Sequence, residues 1–341
     1  MSSRMRQEIR DTHEVSLAFA RSDRSRFGHL HESLRSRRHV ILMGTGASLN
    51  ACKVGQYAFL KEAGFLPHVV PAADVSLLES FLGADDLVLL VSQSGESYET
   101  KAAIEAMKRR GVPVWGITNA SDSALARLAD ETILMEAGEE VSSATKSYAA
   151  TLLILNAIAA GENEAFWQAL AALPDAVRDT LSGSDRKIAD WAGALAKREK
   201  FYLLGVREFG VTAQQGALVL KEKTFQHAEG MSLSEFRHGN VEVVQPGLPI
   251  VIVAGADSLD ESLGHAEFLA SLEAEVYLIA DRAAAPAKIP ADRILVLPGV
   301  SGLMPQITTV LPLMQLAENI ASAKGYDVDG FRYISKVVSQ Y

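Results

Sequence analysis

The run Ser92-Gln93-Ser94-Gly95-Glu96-Ser97 places three hydroxyls and a carboxamide around one glycine. An isolated serine at such a point is a helix cap. Three of them, clustered where an apolar run gives way to a helical pattern, suit the holding of an anion. The hydroxyls and the Gln93 amide donate to anionic oxygens, and Gly95 lets the backbone approach closely. The following helix adds unpaired N–H groups and the positive end of its dipole. No P-loop lysine accompanies the run, which points to a terminal sugar phosphate held by neutral donors rather than a nucleoside triphosphate on magnesium. A second small-residue turn, Gly44-Thr45-Gly46-Ala47-Ser48, lies earlier in the chain. Its spacing is not GxGxxG, because position 49 is Leu49, so a nicotinamide enzyme is not expected.

Both turns must be carried by something rigid. Four runs in the first half, HVILMGTG (39–46), DLVLLVSQSG (86–95), PVWGITN (113–119) and ETILMEAG (131–138), are apolar without alternation and end in small or polar residues. That pattern predicts strands of a parallel sheet covered by helices on both faces. Segments 97–110 and 144–160 between them have helical spacing. The second half repeats the scheme in FYLLGVRE (201–208), LPIVIVAGAD (248–257), AEVYLIAD (274–281) and RILVLPG (293–299). Gly44 and Gly205 are 161 residues apart, Ser92 and Ala254 162, Asn119 and Asp281 162, and Gly138 and Gly299 161. Such even offsets indicate a duplicated α/β domain, each copy a doubly wound parallel sheet. The expected organisation is an N-terminal helical segment (1–37), whose first 27 residues read as an exposed amphipathic helix, a first domain (38–160), a helical connector (161–195), a second domain (196–325) and a C-terminal tail (326–341). The duplicated loop differs: where the first copy has its serines, the second has Ala254-Gly255-Ala256-Asp257-Ser258.

Composition bounds the function. At 341 residues two domains are expected, and 48% apolar with 22% charged residues is ordinary for a globular protein. No stretch reaches the roughly 18 unbroken apolar residues of a membrane span, and the acidic residues near the N-terminus argue against a secretion signal. The single cysteine, Cys52, forms neither an internal disulfide nor a thiolate cage, consistent with a reducing cytoplasm. A net charge of −9 disfavours nucleic-acid binding. The histidines, His29 and His31 included, lack HExxH or Cys/His spacing, so no metal is expected. His227 reads as structural.

The motifs GTGASLNA (44–51), SQSGESYET (92–100), EEVSSATK (139–146), GALVLKEKTFQHAEGMSLSEFRHG (216–239) and SKVVSQY (335–341) together resemble the double-SIS (sugar isomerase) family over nearly the whole chain. They resemble in particular the isomerase half of glutamine–fructose-6-phosphate aminotransferase and its free-standing relatives, the glucosamine-6-phosphate deaminases and fructosamine-type deglycases. The resemblance implies phosphate contacts from Ser48, Ser92, Gln93, Ser94 and Ser97. It further implies substrate-binding positions at Gly46, Ala47, Ser142 and Ser335, and no cofactor. It assigns the catalytic glutamate to Glu222, a histidine serving the neighbouring subunit of a homodimer to His238, and the tail lysine to Lys336. The aminotransferase's glutaminase domain begins with a cysteine after Met1; here position 2 is Ser2, so glutamine-dependent amination is not expected. Two positions depart from the family pattern. Val219 stands where a lysine precedes the glutamate, and the aspartate–x–proline–arginine of the tail reads Asp329-Gly330-Phe331-Arg332.

Given those roles, a carboxylate at Glu222 moves a proton between adjacent carbons of an opened sugar. His238 is the group expected to relay a proton to or from the ring oxygen. Lys336 either stabilises oxyanion character or attacks C2 as an amine. The expected activity is conversion of glucosamine 6-phosphate to fructose 6-phosphate and ammonia. The alternatives are a fructosamine-6-phosphate deglycase, another phosphosugar isomerase such as an arabinose-phosphate type, or a non-catalytic sugar-phosphate sensor. The 37 residues before the first strand are too few for the helix-turn-helix domain that regulators of the last kind carry.

Overall fold

Runs of valine, isoleucine and leucine that cannot alternate between water and core must be covered on both faces, and here they are. A computed structural model describes residues 3–283, 286, 288–302 and 304–336. Its first sheet comprises β1 (Val40–Gly44), β2 (His68–Pro71), β3 (Leu87–Val91), β4 (Val114–Thr118) and β5 (Glu131–Leu134). The second comprises β6 (Lys200–Gly205), β7 (His227–Ser232), β8 (Pro249–Ala254), β9 (Glu275–Ala280) and β10 (Ile294–Val296). Every residue of β1, β3, β4 and β8 is buried. The described pairings are all parallel.

The strand orders are β2-β1-β3-β4-β5 and β7-β6-β8-β9-β10, one topology twice. The four residue pairs that mark the repeat in sequence fall at matching places. Gly44 and Gly205 end β1 and β6, and Ser92 and Ala254 lie at the ends of β3 and β8. Asn119 and Asp281 follow β4 and β9, and Gly138 and Gly299 lie beyond β5 and β10. Eight of the ten strands among the described residues match the expected runs. The remaining two, β2 and β7, lie at sheet edges and are only partly buried, so they need no continuous apolar run.

The chain forms two compact units. The N-terminal unit holds residues 15–140 and 144–168 and takes in the tail from Tyr333. Its sheet packs against the helix Tyr98–Arg109, whose Ala103, Ile104 and Met107 meet Val88, Leu90 and Val114. The C-terminal unit holds Ala169–Arg332 with the first fourteen residues and Val141–Ser143. There Leu259, Ala266 and Leu269 of the helix Leu259–Ser271 cover Ile250, Ile252, Val276 and Leu278. The helix Glu208–Thr224 lies along the buried helix Pro305–Ala323.

The N-terminal segment corrects the expectation of one exposed amphipathic helix. It forms three helices, Arg4–Arg10, Thr12–Phe19 and Arg24–Arg35. Met5, Ile9, Phe27 and Leu34 are buried. The apolar positions are sparse in sequence because each short helix buries only one to three of them, and the arginines remain available for ion pairs such as Arg24–Glu164. None of the helices among the described residues is long and apolar enough to cross a membrane.

One buried carboxylate ties the strand entrances together, at the end of the sheet opposite the serine loop. Asp86 accepts two bonds from Arg38 (2.9 and 2.6 Å), one from Gly83 N at 2.8 Å, and contacts His39 Nδ1 at 3.0 Å. The Arg38 guanidinium above all holds its carboxyl at about 2, against an ordinary 3.8. Because the folded-state value is depressed, the stabilisation is fully present above the ordinary value and disappears as pH falls through about 2. Urea unfolding of wild type and Asp86→Asn should therefore differ by about 2 kcal/mol more at pH 5 than near pH 2. A difference that does not change with pH would show that this ion pair adds nothing to stability.

Candidate active site

In a 2-1-3-4-5 parallel sheet the connections after β1 and β3 leave in opposite directions, and the crevice between them receives ligands. The two small-residue turns flank that crevice in the N-terminal unit. After β1, Gly46 takes φ +56° and caps the helix Ala47–Ala58, with Ala47 and Ser48 half-buried in its first turn. After β3, the serine loop is folded on its own hydroxyls. Gly95 N donates to Ser92 Oγ (3.1 Å), Glu96 N to Ser94 Oγ (3.2 Å), and Thr100 N to Ser97 Oγ (3.3 Å). A hydroxyl that accepts from a backbone N–H keeps its own proton for another acceptor. Ser97 is the N-cap of Tyr98–Arg109. Ser92 is buried; Gln93, Ser94 and Ser97 are half-buried.

The end of β4 braces this loop. Thr118 Oγ1 and Asn119 N both donate to the Gln93 carbonyl, at 3.3 and 3.0 Å. The Asn119 side chain donates to Gly138 O (2.7 Å) and accepts from Ala137 N (2.9 Å), joining the loops after β4 and β5. Glu96, although inside the serine run, faces Lys101 (2.7 Å) and the Ala124 N–H (2.6 Å), and chiefly Lys101 holds its carboxyl below the usual range. It neutralises cations rather than adding a negative charge to the crevice.

The tail lysine belongs to the same unit. Lys336 Nζ lies 2.9 Å from Glu140, whose side chain is fully buried, while Ser335 is exposed. Glu140 was not singled out in the sequence, since nothing near it there identifies a partner so distant in the chain.

In the C-terminal unit, Glu222 is half-buried near the end of the helix Glu208–Thr224, between exposed Lys221 and fully buried Lys223. Val219, one turn earlier, has no exposed surface, so an apolar residue fills core where the resemblance expects a lysine. His238 is exposed at the C-cap of the helix Leu233–Arg237. His227 opens β7, its N–H donating to Glu199 O. Ser142 is fully buried and donates to Val328 O at 3.0 Å, so in this chain its hydroxyl holds the approach to the tail.

That approach also accounts for Phe331. Lys223 Nζ donates to Gly330 O at 3.0 Å and sits 3.9 Å from the centre of the Phe331 ring; Arg332 stacks on Phe225 at 3.6 Å. Asp329 accepts from Arg4 N and Met5 N at 3.0 and 2.9 Å. Two cation–π contacts thus pin the segment to the helix that carries Glu222, in a chain lacking the family's proline.

The equivalent crevice of the second sheet is closed. A Cβ built on Gly255 would fall 2.2 Å from the Phe209 ring, which occupies the space beside the β8 loop. Asp281 beyond β9 is buried, and burial first, with the Asp257 charge behind it, pushes its carboxyl up to about 6. An aromatic plug beside two carboxyl groups is no place for a phosphate. Among the described residues no cluster of three or more His, Cys, Asp or Glu side chains is placed to hold a metal ion.

Comparisons with known proteins agree with the fold. The SIS domain model matches residues 33–161 and 194–315. Over 319 residues the chain is 31% identical to a glutamine–fructose-6-phosphate aminotransferase of Aeropyrum pernix, aligning 88% of itself with 51% of that protein. The chain spans about half the length of the curated relatives it matches. The C-terminal domain of the glucosamine-fructose-6-phosphate aminotransferase from Francisella tularensis superposes with a TM-score of 0.84 at 24% identity, covering 97% of this chain and 99% of that one. A glucosamine-6-phosphate deaminase from Thermotoga maritima superposes with a TM-score of 0.73 at 21% identity, covering 95% and 99%. At these identities the superpositions establish a shared fold.

Proposed function

Since this chain belongs to the SIS-domain family, we propose that it is a phosphosugar isomerase-type enzyme that converts glucosamine 6-phosphate to fructose 6-phosphate and ammonia. The observation that carries the reading is the serine loop. Three hydroxyls each accept a backbone N–H on the β3 side of the crevice between β1 and β3, opposite the turn at Gly46, Ala47 and Ser48; Ser92 and Ser94 thereby keep a proton for another acceptor, and Ser97 shares its own bond with Thr100 Oγ1 at 2.7 Å. This is where the 6-phosphate binds, with the Gln93 amide as a further donor.

The remaining roles follow from the chemistry. Once the ring opens, Glu222 takes the C2 proton of the aldehyde form, and reprotonation at C1 gives a 2-imine, which water hydrolyses to the ketose with release of ammonia. His238 relays a proton to the ring oxygen. Its exposure on its own chain supports service in the site of a second copy within a homodimer. Lys336 acts beside the reacting carbons from the tail. A second reading, a fructosamine-6-phosphate deglycase using the same cradle and base, is favoured by the buried Val219, which removes the family's amine-handling lysine.

Purified protein incubated with glucosamine 6-phosphate, without glutamine, should release ammonia and fructose 6-phosphate in equal amounts, and Glu222→Gln should release neither. If the sugar phosphate binds and no product forms, the deaminase reading fails. Fructosamine 6-phosphates are then the next substrates to test, and inactivity on those would leave a sensor.

A further inference from the structure

The loop after β5 contains a carboxylate with more donors than a neutral acid can use. Glu140 Oε1 accepts from Thr145 N (2.9 Å), Thr145 Oγ1 (3.0 Å) and Ser147 N (3.1 Å). Its Oε2 accepts from Ser147 Oγ (2.6 Å) and Lys336 Nζ (2.9 Å). The side chain is fully enclosed, and Lys336 is about one-quarter exposed. A protonated carboxyl would turn one acceptor into a donor facing another donor, so this environment selects the ionised form. Burial alone would push Glu140 up, but the Lys336 ammonium and the Ser147 and Thr145 donors outweigh it and hold the carboxyl below the usual range.

The consequence falls on the lysine. A partly desolvated amine without a counter-charge loses its proton readily; one held against a fixed, buried carboxylate keeps it. A lysine that forms an imine must first become the free amine, whereas one that stabilises a developing oxyanion must remain an ammonium.

We infer that Glu140 is a positioning residue that holds Lys336 in one place and keeps it charged, so that Lys336 serves the reaction as an ammonium donor to the substrate's oxyanion and forms no covalent adduct. This rests on the proposed function for the lysine's task, but the state of the lysine can be tested without turnover. Four of the five bonds to Glu140 come from the residues flanking Lys146 at the start of the helix Lys146–Ala160, so the carboxylate is fixed independently of the tail. The tail therefore docks onto a site already built, and its lysine arrives at a charge that is already there.

The first measurement is competitive labelling of the full-length protein by acetic anhydride at pH 8, read at the Lys336 peptide by mass spectrometry. Wild type should label slowly, Glu140→Gln about tenfold faster, and Glu140→Asp, which restores the charge, within about threefold of wild type. A looser tail without a change of charge would speed both variants alike and overturn the inference. Equal labelling of wild type and Glu140→Gln would also overturn it. The second measurement uses wild type alone, so it survives a variant that does not fold. Sugar phosphate with cyanoborohydride should leave the Lys336 peptide unmodified, and a reduced sugar-phosphate adduct there would overturn the inference. Where turnover is found, Glu140→Gln should lower kcat about 30-fold with KM within about threefold, because the donor acts on the transition state rather than on the phosphate. Labelling as expected without turnover on any sugar phosphate would sink the proposed function and leave the lysine's charged state standing.

Discussion

Glu222→Gln is expected to lower kcat by about a hundredfold to ten-thousandfold while leaving sugar-phosphate affinity within about threefold of wild type. The substitution preserves size and hydrogen-bonding capacity and removes only basicity. Glu222 lies in the last turn of a helix whose other residues have evident structural tasks: Val219 and Leu220 are core, and Lys223 clamps the tail. Glu222 itself is half-buried, and the proposed role is that of the base. The affinity control matters because the phosphate contacts are proposed for other residues, those of the serine loop, so a catalytic change and a binding change should separate cleanly. Steady-state kinetics with titration calorimetry decide the matter. A loss of less than about tenfold in kcat would remove Glu222 as the base, since general-base groups contribute at least about a hundredfold.

Gly95→Ala is expected to weaken sugar 6-phosphate binding by about 30-fold or more and to lower stability by about 2–4 kcal/mol. Two costs combine. The residue has φ +63°, where a side chain is strained, and its Cβ would stand 2.2 Å from Ser123 Oγ and 3.0 Å from Thr118 Oγ1. Ser123 is buried, caps the helix Ala124–Leu128 and donates to Ala120 O at 2.8 Å, so it has no room to yield. Thr118 is one of the two groups that hold the Gln93 carbonyl. Relief of the clash therefore moves the loop that carries the serines. The milder Ser94→Ala, which removes one donor without moving the backbone, should cost about 1 kcal/mol, roughly fivefold in affinity. Calorimetric titration with the sugar phosphate, paired with thermal melts, separates binding from stability. Wild-type affinity in Gly95→Ala would show that this loop does not hold the phosphate.

The strands were legible because parallel strands covered on both faces need unbroken apolar runs, and only the edge strands β2 and β7, lacking such runs, escaped notice. The serine loop was legible for a related reason: six contiguous residues carry both the hydroxyls and the glycine that bends the chain around them. The N-terminal segment misled because buried residues such as Met5, Ile9, Phe27 and Leu34 are split between two separate short helices with arginines between. Asn119 appeared in the sequence only as a marker of the repeat, and its bonds to the loops after β3 and β5 became visible only with the sheet assembled.

What the sequence determined by itself is the duplicated α/β architecture, and it also offered a serine-rich loop as the candidate anion cradle, because strand periodicity, turn chemistry and repeat spacing are properties of neighbouring residues. The tertiary structure alone decided which charges meet. Glu140 and Lys336 are 196 positions apart, and Lys223 and Gly330 are 107 apart. It also decided that Phe209 closes the second crevice and that Ser142 holds the tail. The ionisation of a side chain depends on the burial and the partners around it, and those are created only when distant segments pack together.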